Sequence, residues 1–108
     1  MAFQVEELSL ELIGALVPLM PRIKRNDKTL EDQLRRAASS IGLNVAEAAL
    51  SDPGNKRARF HTAAGSARET QHALRQAIAW RHVRAEEAEQ ALGLVRRIVA
   101  ILWKITRG

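Results

Sequence analysis

Glu69 and His72 stand three residues apart in a helix-forming stretch, the Glu-x-x-His spacing from which di-iron carboxylate sites are built inside helical bundles. Such a site needs a second pair and two further inward glutamates. The chain offers only Glu47 as another well-placed acid, so neither a metal nor a cofactor is expected. No nucleophile–base arrangement, glycine-rich phosphate loop or zinc spacing occurs, and Ser39-Ser40 has no histidine near it in sequence. No catalytic residue is assigned and enzymatic activity is not expected.

Two other patterns are more regular. Gln33, Ser40, Asn44 and Glu47 fall at steps of seven, four and three, which stacks them in one stripe along a helix. Ser66, Glu69 and Thr70 form a matching set downstream. The stripes either face water or face each other. In the second arrangement Asn44 and Glu47 meet Ser66 and Glu69 in a buried network, and two acids so close need a cation, for which Arg36 is the first choice. The second pattern is basic. Residues 22–84 carry thirteen Lys/Arg against six Asp/Glu, an excess of seven, within a chain of formal charge +5. That excess suits a polyanion or an acidic protein surface. Arg35, Arg57, Arg59, Arg68 and Arg75 are the candidate nucleic-acid contacts. Aromatic residues make up only 4% of the chain, so binding to RNA or DNA is expected to be salt-sensitive and largely independent of sequence.

The elements that must position these residues are helical. Apolar residues recur at three- and four-residue steps and period-two alternation is absent, which predicts an all-α chain. The 108 residues form one domain, 1–108, with a modest core. No apolar run approaches the ~20 residues that span a bilayer, no signal peptide is read and cysteine is absent, so the cytoplasm is the default location. The first helix is expected from about Val5 towards Met20, disturbed at Pro18 and stopped at Pro21. Arg22 to Lys28 reads as a basic connection. Thr29 then caps a second helix that runs to about Leu50 and is weakened internally by Gly42. Ser51 to Asn55 is the clearest break, with Asp52 and Pro53 opening a third helix that ends near Trp80. A fourth begins after Arg81–Ala85, at Glu86, Glu87 and Glu89; one unbroken helix from Pro53 to Ile105 is the rival reading. The first and last helices each carry two apolar lines where a bundle needs one. The surplus predicts self-assembly, with Leu94, Ile98, Ile101 and Ile105 as the interface.

The segment QLRRAASSIGLNVAEA, residues 33–48, resembles the signature Q-[IL]-R-R-A-x-x-S-I-x-x-N-[IV]-A-E-G of a family of bacterial four-helix-bundle proteins. RFHTAAGSARETQHAL, residues 59–74, resembles the same family's R-F-x-x-x-A-x-G-S-x-x-E-x-x-x-x-L. That family includes the accessory variability determinant of diversity-generating retroelements and proteins encoded in intervening sequences of large-subunit ribosomal RNA genes. The resemblance implies an antiparallel up-down-up-down four-helix bundle that assembles into a ring, typically a pentamer, with a basic surface. For the retroelement member it also implies nucleic-acid binding beside a reverse transcriptase. Gly42 stands where the family commonly has proline, or beside it, and Ala48 replaces the glycine that follows the glutamate. Two functions follow as expectations. One is a ring-forming accessory protein for nucleic acid, with a reverse transcriptase as a further partner. The other is an oligomeric adaptor whose basic face meets an acidic protein.

Overall fold

The three- and four-residue apolar steps fold into five helices, which a computed structural model describes over residues 1–107. They are α1 (Ala2–Leu16), α2 (Met20–Asn26), α3 (Lys28–Ala48), α4 (Pro53–Ala79) and α5 (Ala85–Arg107), and no strand occurs among the described residues. Neighbours in space are α3 with α4, α4 with α5, α5 with α1, and α1 with α3; the short α2 lies against α3. The molecule measures 42 × 22 × 20 Å. A 27-residue helix is about 40 Å long, so α4 alone spans its length. Among the described residues no helix is long and apolar enough to cross a membrane.

The expected stop at Pro21 is corrected. Pro18 sits in the turn after α1, whereas Pro21 lies in the first turn of α2. A residue with fixed φ and no N–H costs nothing there, because that N–H would have no helical partner. The supposed basic connection is thus largely helix, and Ile23 inside it is fully buried. Nor is Thr29 the cap of α3. Asp27 caps it, its Oδ1 accepting from the Leu30 amide at 3.0 Å. Asp52 caps α4 as expected, accepting from the Asn55 amide at 2.9 Å, and that bond holds its carboxyl below the usual range. The turn between α4 and α5 is real, so the single long helix is excluded. It contains no glycine; Arg81 itself takes the left-handed conformation, with φ 63°.

Charge pins the start of α5. The Glu87 carboxylate accepts from the Arg84 amide and from both Nη atoms of Arg22 on α2. Arg22 first, then the amide, holds that carboxyl below its ordinary range.

The two apolar lines of α5 are both taken up within one chain. Leu94 and Ile98 are core residues, and Ile101 and Ile105 are half-buried against that core. Both stripes of α5 lie against the core where it packs on α1 and α4. The lines of α1 behave differently. Val5, Leu8, Leu12, Leu16 and Leu19 are buried, while Leu10, Ile13 and Val17 are exposed. The surplus apolar surface therefore lies on α1, beside Leu43 of α3, which is also exposed.

Where α1 crosses α3, Gly42 makes room. A Cβ there would stand 2.6 Å from Ser9 Oγ, and that hydroxyl is buried and donates to the Glu6 carbonyl at 2.7 Å. Gly42→Ala must displace it, which offsets the helix propensity gained. With Ser9→Ala already in place only a Cβ remains, at 3.5 Å, an ordinary contact. Gly42→Ala should then stabilise by ~1 kcal/mol in the Ser9→Ala background and by clearly less in the wild type. Urea denaturation of the four proteins measures this, and equal gains in both backgrounds would contradict the close approach.

Candidate nucleic-acid interface

The break at Ser51–Asp52 folds α4 back along α3, so residues equidistant from Pro53 meet across the seam. Ser40 lies thirteen before Pro53 and Ser66 thirteen after; Ser66 Oγ donates to Ser40 Oγ at 2.8 Å. Glu47 lies six before and Arg59 six after; their ion pair measures 2.8 Å. Asn44 joins the two. Its Nδ2 donates to Ser40 Oγ and to the Ser40 carbonyl, each at 2.9 Å, and its Oδ1 accepts from Arg59 Nη1 at 3.3 Å. Thr70, fully buried, donates to the Ser66 carbonyl at 2.7 Å. A chain of bonds thus runs from a part-buried serine pair to a half-exposed ion pair at the rim.

Asn44 and Ser66 are in this network, and Glu47 is at its edge. Arg36 and Glu69 are outside it. Arg36 is exposed and pairs at 3.4 Å with Asp32, one turn earlier on its own helix. Glu69 is exposed on α4, as is His72, which removes both from any interior metal site. Gln33 is exposed as well, so of the polar stripe Asn44 is buried and Ser40 half-buried. The cation expected at Arg36 is Arg59. The symmetry about Pro53 was a usable signal for this pair, since helical spacing within one element cannot reveal its partner across the turn.

Two of the candidate nucleic-acid contacts are therefore engaged. Arg59 belongs to the seam, and Arg35 pairs at 2.8 Å with the buried Glu31. Arg57, Arg68 and Arg75 are exposed, and no carboxylate among the described residues pairs with them. Their steps of eleven and seven place them in one row along α4. From α5, Arg96 and Lys104 join Arg68 around a shallow groove between α4 and α5 that also holds Trp103. Sequence reasoning passed over these α5 residues because they lie outside the basic middle of the chain and come close to Arg68 only through folding.

An all-helical chain, joined by a small-residue polar seam and basic on its α4 side, is the class that this architecture defines. The chain belongs to the 23S rRNA-intervening sequence protein family, whose model matches residues 3–104. It is similar in fold to a protein of unknown function from the S23 ribosomal protein family of Bacteroides thetaiotaomicron VPI-5482. The TM-score is 0.85 at 24% identity, over 96% of this chain and 99% of that one. No curated protein matches the sequence. The family shown is thus the intervening-sequence side of the resemblance drawn from residues 33–48 and 59–74.

Asn44 has the most to lose in the seam, since leucine there leaves the Ser40 hydroxyl and the Arg59 guanidinium short of a partner. Asn44→Leu should cost ~1–3 kcal/mol. Arg36→Ala, which touches only an exposed pair, should cost well under that. Thermal unfolding followed by circular dichroism compares the two, and equal midpoints would remove the seam from the account.

Proposed function

We propose that this protein is a non-enzymatic accessory protein that binds RNA or DNA through the exposed row Arg57, Arg68 and Arg75. The observation that carries the reading is that row: three guanidiniums on one helix face with no acid to neutralise them among the described residues. Guanidinium forks match phosphate oxygens well, and an unpaired row has no internal bond to give up on binding. The long helices α1, α3, α4 and α5 are read here as the four members of an up-down-up-down bundle, with α2 as part of the first connection.

Self-association is the second part of the proposal. Leu10, Ile13 and Val17 on α1 and Leu43 on α3 expose apolar surface that a lone chain has no use for. A ring of copies, pentameric as the resemblance implies, would cover it and repeat the arginine row around an axis. Weak phosphate contacts would then act together. A reverse transcriptase would meet such a ring through its bound nucleic acid, and the binding test below does not need that enzyme.

Filter retention at low salt should show binding of RNA or DNA with little sequence preference. Each of Arg57→Ala, Arg68→Ala and Arg75→Ala should flatten the log–log salt dependence by roughly one unit, and the triple Glu variant should abolish retention. Absence of retention for the wild type would leave the adaptor reading, in which the same row meets an acidic protein.

Light scattering behind size exclusion should give several times the 12.0 kDa chain mass. Val17→Glu should lower that mass without unfolding the chain, whereas Ile98→Glu should unfold it, because Ile98 is wholly buried. A wild-type monomer at micromolar concentration would overturn the ring.

A further inference from the structure

We infer that the groove between α4 and α5 holds single-stranded nucleic acid, with a base stacked on Trp103. The inference rests on the nucleic-acid reading above and specifies the form of the ligand. The groove, about 400 Å³, is lined by Arg68 and Gln71 from α4 and by Arg96, Val99, Trp103 and Lys104 from α5, with no carboxylate among its lining residues. Arg96 lies seven residues before Trp103 and so on the same face of α5, and Lys104 borders the groove beside them. Arg68 lines the α4 side of the same groove.

Trp103 is the one aromatic side chain in this setting. Arg107, one turn further on, places its guanidinium carbon 4.3 Å from the indole centroid. That contact covers part of the ring, yet the residue keeps 45% of its surface exposed. An indole with a cation on one face and this much of the residue's surface open to water can offer a π-face to a base. The cations around it suit the phosphates on either side of a stacked base. Gln71 adds an amide that can bond to base or ribose. A groove of positive charge beside an aromatic platform is the arrangement by which single strands are bound without regard to sequence. In a duplex each base face is already covered by its neighbours, so a duplex can use the cations but not the indole.

The test uses the full chain in a Trp80→Phe background, because Trp80 is exposed at the far end of α4 and would otherwise contribute to the emission. Oligothymidylate and oligouridylate should quench Trp103 fluorescence and bind more tightly than a blunt duplex of equal length. Trp103→Ala should weaken retention of the single strands by roughly tenfold and leave duplex retention almost unchanged, with Trp103→Phe in between. Duplex and single strand bound equally, with Trp103 emission unmoved, would overturn the stacking site while leaving the arginine row intact. Failure of every nucleic acid to bind would remove both.

Discussion

Ser40 and Ser66 touch where α3 packs on α4, two helices whose buried residues include many alanines: Ala37 and Ala48 on α3, Ala63, Ala67, Ala73 and Ala77 on α4. Small side chains let the two backbones approach closely, but alanine against alanine says little about register, since one turn resembles the next. The polar chain supplies what the alanines lack. A slip of one turn would move Ser66 by about 5.4 Å past Ser40. It would separate the serine hydroxyls and the Asn44 amide from their partners in a part-buried interface, at a cost of up to about 1–3 kcal/mol for each group that water does not reach. Register between α3 and α4 is thus set by hydrogen bonding, while the attraction comes from apolar burial on the core side. Because α1 packs on α3 and α5 packs on α4, the positions of the remaining long helices descend from that register.

The same seam sorts the arginines. Arg59 is drawn into it by Glu47, Arg35 and Arg36 are held by acids one turn back on α3, and Arg22 is committed to Glu87. Among the cations left without a partner, Arg57, Arg68 and Arg75 lie on α4 and Arg96 and Lys104 on α5, while Lys24, Arg25 and Lys28 stay exposed on α2 and at the start of α3. The positive excess of residues 22–84 is therefore divided after folding, one part along α4 beside α5 and another at α2.

Much of the architecture was legible in the sequence because helical periodicity and turn chemistry are local. The Asp52-Pro53 start, the break near Arg81 and the two lines of α1 follow from side chains within a few residues of one another. The failures were of two kinds. Met20–Asn26 contains a proline and four polar or charged residues, which reads as a connection, yet Pro21 falls at the one turn where proline is harmless and Ile23 anchors the segment in the core. The exchange of Arg36 for Arg59 was a failure of partner choice. Asp32 and Arg36 are four apart and satisfy each other on one helix, a pairing readable from spacing alone. Arg59 could be placed only by folding the chain about Pro53. The α5 lines were misassigned for a related reason: which of its stripes a helix buries depends on how its neighbours sit, a tertiary fact that spacing within the helix does not carry.

The two proposed surfaces bear on each other through the order of the helices. In the cycle α1, α3, α4, α5, helix α4 lies diagonally opposite α1. Copies that associated through the exposed side of α1 and α3 would leave the α4 row facing outwards. Burying Leu10, Ile13 and Val17 would then neither cover Arg57, Arg68 and Arg75 nor bring like charges of adjacent copies into contact across the buried patch. An interface built instead on Leu94, Ile98, Ile101 and Ile105 would have required α5 to leave the core and would have set Arg96 and Arg97 of each copy at the join. Assembly and charge are compatible in this fold because the apolar surplus sits on α1, and that follows from α5 having spent both of its stripes inside the chain.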